Sequence, residues 1–214
     1  MSAYFSGFIL LSIPAVLFVH EIGHLIAARW YGVRVLRLSI GLGPEVLGFT
    51  DRIGTRWTLA ILPFGGSLEM NDDRNSTTVT AAQVLSNKSL NQRAAIYAAG
   101  PLLNLLFAGG IYGCSRAIFG EGALLATVSE KPAVVLMSLL SGFSVFVALF
   151  SLIPIPPLDG GWLALFGIEA LTRKPISEHI QKKLCTGGMA IIVFATMISI
   201  LAFASHVVAA NSGS

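Results

Sequence analysis

Four long apolar stretches constrain the fold of this 214-residue chain more than any other feature of its sequence. A helix needs about 20 predominantly apolar residues to cross roughly 30 Å of hydrocarbon. The stretches that reach this length lie at about residues 4–28, 94–119, 133–155 and 187–210. Hydrophobic residues make up 54% of the chain and charged residues only 12%, which is too few to cover a water-soluble surface. We therefore predict an all-α polytopic protein of the lipid bilayer with four transmembrane helices.

The segment between the first and second apolar stretches, at about residues 33–70, has a different pattern. Apolar and polar residues alternate there, and Asp51–Gly54 has the composition of a turn. This pattern predicts a β-hairpin, either membrane-associated or an ordinary cytoplasmic one. We expect a single domain over residues 1–214, because no linker or low-complexity tract divides the chain.

The Lys and Arg residues are distributed unevenly among the predicted connections. Eight lie between the first and second apolar stretches and four between the third and fourth, whereas only Arg116, near the end of the second stretch, and Lys131 lie on the opposite side. Cytoplasmic connections are enriched in Lys and Arg, so we expect a multi-pass bacterial inner-membrane protein with both termini outside. The net charge of +3 is too small to favour nucleic-acid binding.

The first apolar stretch contains His20-Glu21-Ile22-Gly23-His24, an H-E-x-x-H pattern. Ionisable side chains are costly inside a spanning helix, so we expect them to have a function. Residues four apart share a helix face, so both imidazoles can reach one ion, and Glu21 can contact a water on it. Zn²⁺ lowers the pKa of such a water to about 7, and a carboxylate can accept its proton. The alternatives are a polar cluster that joins helices and a proton relay.

A second polar feature follows the third apolar stretch, where Asp159 lies between three prolines and two glycines. A catalytic zinc takes three protein ligands, so the two imidazoles need a third partner. In the predicted topology the first and third helices both run inward, which puts Asp159 and the His pair near the cytoplasmic face. Asp159 is therefore a candidate ligand, and the alternative is an N-cap of a helix at residues 160–171.

Further short motifs accompany the H-E-x-x-H pattern. They are Gly32–Val35, Ser39–Pro44, Pro63–Met70, Asn87–Arg93, Ala99–Asn104, the Pro-Pro-Leu-Asp-Gly-Gly run at 156–161, and Lys174–Glu178. In this order they resemble the site-2 proteases, a family of intramembrane zinc metalloproteases, and within it the branch that regulates sigma E. The resemblance implies Zn²⁺ as the cofactor, His20, His24 and Asp159 as its ligands, and Glu21 as the catalytic acid/base.

The resemblance also implies an activity and partners. It implies an endopeptidase that uses zinc-activated water to cleave transmembrane segments or signal-peptide remnants, after an upstream site-1 protease has trimmed the substrate. Substrate contacts are implied at Gly65, Gly66, Asn104 and Ser151, and Asn104 has an interhelical hydrogen bond as its alternative interpretation. In the family, a β-structured loop at about residues 33–70 enters the membrane and holds the substrate as an added strand.

Two departures from the family pattern are visible. Ser151 stands where the family usually has Asn, and its shorter side chain weakens the expectation of a substrate contact there. The sigma-E branch carries PDZ domains between its second and third helices, whereas only about residues 117–132 lie there in this chain. A domain needs about 50 residues, so we expect no PDZ domain here. The size filter that such domains provide is then either absent or supplied by a PDZ-containing partner. A membrane-helix-binding pseudoprotease and a proton-relay transporter are the alternative functions.

Overall fold

The structure is a computed structural model that describes residues 2–72, 80–120 and 132–212. These ranges contain the elements α1 Ser2–Trp30, β1 Val35–Thr50, β2 Arg56–Met70, α2 Leu90–Phe119, α3 Pro132–Ser151, α4 Asp159–Thr172 and α5 Glu178–Ser212. Two short 3₁₀ turns at 81–83 and 85–87 precede α2. The chain divides into two compact units, one up to Leu152 and one from Ile153.

The predicted fold class, four transmembrane helices with a membrane-associated hairpin, is wrong. The described ranges contain five α-helices. Three of the described helices are long and apolar enough to cross a membrane, namely Leu90–Phe119, Pro132–Ser151 and Glu178–Ser199. The second half of α1 carries ionisable side chains that are buried within the protein. Helix α4 lies in the predicted connection, where the alternative interpretation of Asp159 had placed a helix at residues 160–171.

The strands also differ from a simple hairpin, because β1 and β2 each pair in two places. Residues 45–50 pair antiparallel with residues 56–60 across the turn. Residues 35–40 lie on the other side of residues 56–60, and there the partner numbers rise together, which is a parallel register. Residues 66–70 pair antiparallel with residues 35–40 at the opposite edge. The two strands therefore build a mixed sheet of four segments.

Glycines explain why each strand forms two segments instead of one. Gly41 and Gly43 have φ values of 91° and 98°, and Gly65 has a φ of 86°. These values lie in the left-handed region, which residues with a Cβ rarely adopt. After each bend the chain pairs with the sheet again. A stretch whose alternating polar and apolar residues predict one strand of a hairpin therefore forms two paired segments.

A buried apolar cluster joins the sheet to the helices of the first unit. Its members are Leu25, Ala28, Val33, Val35, Leu38, Leu85 and Ile96. They come from α1, the start of β1, the second 3₁₀ turn and α2. Since the first segment of β1 is anchored in this protein core, the sheet is attached to the helices of its own unit, and the predicted membrane association of the strands is not supported.

The turn between β1 and β2 is tied to the end of α1 by Asp51. Its carboxylate accepts hydrogen bonds from the backbone N–H groups of Ile53 and Thr55, each at 2.9 Å, and from Nε1 of Trp57 at 3.0 Å. Arg29 of α1 forms an ion pair with the same carboxylate. Burial alone raises the pKa of Asp51, but these hydrogen bonds outweigh it and hold the pKa well below its usual range.

Replacing Asp51 with Asn is expected to lower the free energy of unfolding by about 2 kcal/mol at pH 7, because hydrogen bonds to a charged group are lost. The folded-state pKa lies below the unfolded value of about 3.9. The carboxylate therefore stabilises the fold above about pH 4, and this stabilisation is lost as the pH falls below that value. Chemical denaturation of the detergent-solubilised proteins at pH 7 and pH 3 measures the effect.

The matched control is Asp72→Asn, the same change at an exposed carboxylate that accepts one described backbone hydrogen bond, from Ser86. This control should stay close to the wild type at both pH values. The difference between the wild type and Asp51→Asn should shrink at pH 3. A difference of the same size at both pH values would contradict the role assigned to the Asp51 carboxylate.

The second unit is organised around residues 154–157, which contain three prolines. Gly161 of α4 and Gly188 of α5 both approach this segment closely. A Cβ added to Gly161 would lie 2.3 Å from the nitrogen of Pro156, and one added to Gly188 would lie 1.5 Å from its oxygen. The glycine that follows Asp159-Gly160 is therefore required for close packing of α4 on the proline segment.

Candidate metal centre

The two imidazoles of the H-E-x-x-H pattern lie one helical turn apart on the buried half of α1. Only 9% of His20 and 6% of His24 is exposed. Their Nε2 atoms lie 3.1 Å apart, with the rings nearly perpendicular at 80°. Two nitrogens that each lie about 2.05 Å from a tetrahedral zinc ion are about 3.3 Å apart. The separation of the two Nε2 atoms therefore fits a pair of ligands to one zinc ion.

Helix α2 holds the ring of His24 in place. Nδ1 of His24 donates a hydrogen bond to the backbone carbonyl of Ile96 at 2.8 Å, so Nε2 carries the lone pair with which a neutral ring can bind a metal ion. The ring lies directly on Gly100, where an added Cβ would be 2.3 Å from Nε2 of His24. Gly23 of α1 makes the reciprocal approach, with an added Cβ 2.4 Å from the carbonyl oxygen of Ala99. The two helices therefore cross through a pair of glycines.

The ring of His20 contacts a second residue of α2. Nδ2 of Asn104 lies 3.2 Å from Nδ1 of His20, and Asn104 is fully buried. The hydroxyl of Ser144 on α3 donates to the backbone oxygen of Asn104 at 2.9 Å. The side chain of Asn104 makes an interhelical hydrogen bond, as its alternative interpretation has it, and this bond ends on a candidate ligand. The substrate contact of Asn104 remains a prediction.

Glu21 is also buried, with 9% exposed, and the edge of the sheet lies against it. A Cβ added to Gly66 would lie 3.0 Å from both Cγ and Oε1 of Glu21. The backbone of this β2 segment therefore limits where the carboxylate can go. The positive φ of Gly65 places the bend of β2 directly before this contact. Substrate contacts of Gly65 and Gly66 remain predictions.

The remaining predicted site residues lie at the ends of helices. Ser151, the last residue of α3, is buried and donates its hydroxyl to the carbonyl of Ala148 at 3.0 Å. Asp159 is the first residue of α4 in the second unit, and Leu158 occupies the N-cap position. The N-cap alternative for Asp159 is therefore wrong, although an acidic residue in the first turn still suits the helix dipole. Its role as the third ligand and the substrate contact of Ser151 remain predictions.

Three contacts at the candidate centre were not predicted from the sequence. They are the carbonyl of Ile96 at His24, the close approach of Gly100 to the same ring, and the backbone of Gly66 at Glu21. A backbone carbonyl leaves no residue-type signal. Gly100 does leave one, because a Gly-Pro pair inside an apolar helix calls for a packing reason.

The predicted absence of a PDZ domain concerns the connection between α2 and α3. Residues 121–131 of that connection lie outside the described residues. The absence of the domain thus remains an expectation from sequence.

Comparison with known proteins identifies the family of this chain. The sequence matches peptidase family M50 over residues 8–131 and 117–195, which together cover most of the chain. The chain belongs to this family, the site-2 proteases.

Individual relatives match over shorter regions. The "Putative zinc metalloprotease Atu1380" of Agrobacterium fabrum is 36% identical over 148 residues, which are 62% of this chain and 39% of that protein. The regulator of sigma-E protease RseP of Escherichia coli is 47% identical over 92 residues, 42% of this chain and 20% of that protein. RseP of Salmonella typhimurium is 42% identical over 101 residues, 46% of this chain and 22% of that protein. The chain thus spans well under half the length of these relatives.

Proposed function

We propose that this chain is a zinc-dependent endopeptidase that cleaves transmembrane segments of membrane proteins or signal-peptide remnants, as in regulated intramembrane proteolysis. One observation carries the proposal: the Nε2 atoms of His20 and His24 face each other at 3.1 Å on a buried helix, with Glu21 next to them. Two imidazoles and a buried carboxylate in this order supply two ligands and a proton acceptor, as a hydrolytic zinc site needs.

Each residue of the proposed site has a separate task. His20, His24 and Asp159 would hold Zn²⁺, with Asp159 assigned from the family motif. When bound, zinc supplies a Lewis acid that polarises a peptide carbonyl and acidifies water. The carboxylate of Glu21 accepts the proton of the attacking water and then gives it to the nitrogen of the leaving amine. The contact with Gly66 keeps the Glu21 carboxylate from swinging towards the sheet.

A crevice in the helical part of the first unit supports an apolar substrate. It has a volume of about 410 Å³ and lies between α1 and α2. Its lining is entirely apolar: Phe18, Val19, Ile22, Leu103, Leu106 and Phe107. Such a surface suits a side chain from a membrane segment better than a hydrated polypeptide.

The setting that we propose follows from the charge pattern and the family. The chain is a bacterial inner-membrane protein with the site near the cytoplasmic face. Its substrate is trimmed by an upstream site-1 protease, and a PDZ-containing partner filters substrates by size. Three described helices with the length and composition of membrane spans support the membrane location.

Zinc content is the direct test of the proposed site. The wild type, purified in detergent, is expected to hold one zinc ion per chain, and His24→Phe is expected to hold much less, because one ligand is lost. His179→Phe is the matched control, since His179 lies exposed on α5 outside the proposed site, and it should keep its zinc. Elemental analysis after exhaustive dialysis gives the stoichiometry.

Cleavage of a model spanning peptide in the presence and absence of a zinc chelator completes the test. Loss of cleavage with the chelator and its recovery on adding zinc would support the proposal. A wild type without stoichiometric zinc would contradict it and favour a proton relay. Stoichiometric zinc without cleavage of any spanning peptide would favour a pseudoprotease.

A further inference from the structure

We propose that Asn104 is a positioning residue that selects which ring nitrogen of His20 carries the hydrogen, and so prepares His20 to bind zinc. The inference rests on the proposed function, because it concerns a proposed ligand. In this proposal Asn104 acts on the imidazole of His20, whereas the resemblance to the family implied that it contacts the substrate.

The hydrogen bonds of the two imidazoles show which ring nitrogens donate and which accept. Nδ1 of His24 lies 2.8 Å from the carbonyl oxygen of Ile96, and a carbonyl only accepts, so this Nδ1 carries the hydrogen. In a neutral ring Nε2 is then an acceptor, and it lies 3.1 Å from Nε2 of His20. For two neutral imidazoles, Nε2 of His20 is therefore the donor, and Nδ1 of His20 is left as an acceptor.

Only the nitrogen of the Asn104 amide takes part in these hydrogen bonds. Its Nδ2 lies 3.2 Å from Nδ1 of His20 and supplies the N–H that this acceptor needs. Its Oδ1 is buried, and no described residue donates a hydrogen bond to it. A half-turn of the amide about Cβ–Cγ therefore breaks no described hydrogen bond at Oδ1.

Zinc binding through Nε2 requires the opposite tautomer of His20, with the hydrogen on Nδ1. After the half-turn, Oδ1 of Asn104 accepts that hydrogen. An amide can therefore support His20 in both of its tautomers. An aspartate, which only accepts, would support the zinc-binding tautomer alone, and a leucine of similar size would support neither.

The first measurement is the zinc affinity of the full chain in detergent, by competition with a chelating dye. Asn104→Asp should bind zinc at least as tightly as the wild type, whereas Asn104→Leu should bind about 10- to 100-fold more weakly. A purely structural role predicts the reverse order, because a buried carboxylate costs more than a buried leucine. Ser115→Ala is the control, since it changes another buried polar residue of α2 and should bind zinc like the wild type.

The second measurement is the ¹⁵N NMR spectrum of the His20 ring in the zinc-free proteins. We expect the hydrogen on Nε2 in the wild type and on Nδ1 in Asn104→Asp. The same tautomer in both proteins, or zinc binding of wild-type strength in Asn104→Leu, would overturn the inference. If the wild type bound no zinc, the proposed function would fail, and the zinc-free spectra would then decide the inference about Asn104 alone.

Discussion

Replacing Glu21 with glutamine is expected to reduce the cleavage rate of a model transmembrane peptide by about 10²- to 10⁴-fold. Glutamine keeps the shape of the side chain but does not accept a proton at neutral pH. Glu21 is not a proposed ligand, so the zinc content of the variant should equal that of the wild type. The measurement is single-turnover cleavage with saturating enzyme, accompanied by elemental analysis of the same preparation.

The control for this substitution needs the same burial and the same chemical change. Glu169 of α4 provides both, since it is 7% exposed and accepts the backbone N–H of Ile176 at 2.9 Å, which a glutamine can also accept. Glu169→Gln should cleave at close to the wild-type rate. Cleavage of wild-type strength in Glu21→Gln would remove the proton-transfer role assigned to this carboxylate.

Replacing Gly100 with alanine is expected to weaken zinc binding by at least about 10-fold and to destabilise the fold by about 1–3 kcal/mol. The added methyl group would lie 2.3 Å from Nε2, 2.7 Å from Cε1 and 2.8 Å from Cδ2 of His24. The ring can escape this overlap only by moving away from the carbonyl of Ile96 and from the ring of His20. Zinc competition and chemical denaturation measure the two effects.

Gly109→Ala is the matched control on the same helix. No atom lies within 4 Å of a Cβ added to Gly109, so alanine meets open space there. This variant should bind zinc normally and gain slightly in helix stability, because alanine is the better helix former. Zinc binding of wild-type strength in Gly100→Ala would show that the ring of His24 does not need the close approach of α2.

The sequence predicted much of the candidate centre because its parts leave local signals. His20, Glu21 and His24 lie in one helical pattern, and the structure brings the two imidazoles together as the spacing indicates. Asn104 came from the resemblance of Ala99–Asn104 to a family motif. The contact of Gly66 with Glu21 has no local signal, since it depends on where a bent strand meets a helix.

The fold was harder to predict from the sequence than the candidate centre. The alternation of apolar and polar residues between residues 33 and 70 correctly predicted β-strands. A single hairpin and a mixed sheet of four segments show the same alternation, however, so the pattern does not distinguish them. The difference comes from bends at Gly41, Gly43 and Gly65, and glycine alone does not reveal the sign of φ. The predicted fold did not count α4, with its 14 residues, because hydropathy over long windows identifies only long helices; a helix there entered only with the alternative interpretation of Asp159.

The partners of the two imidazoles lie far away along the chain. Ile96 follows His24 by 72 positions, and Asn104 follows His20 by 84. During translation, the amino-terminal helix therefore leaves the ribosome long before the groups that orient its imidazoles have been synthesised. A nascent or prematurely terminated polypeptide that stops short of α2 carries the whole H-E-x-x-H pattern without an ordered pair. The ordered pair of imidazoles thus arises only after synthesis has passed the second helix.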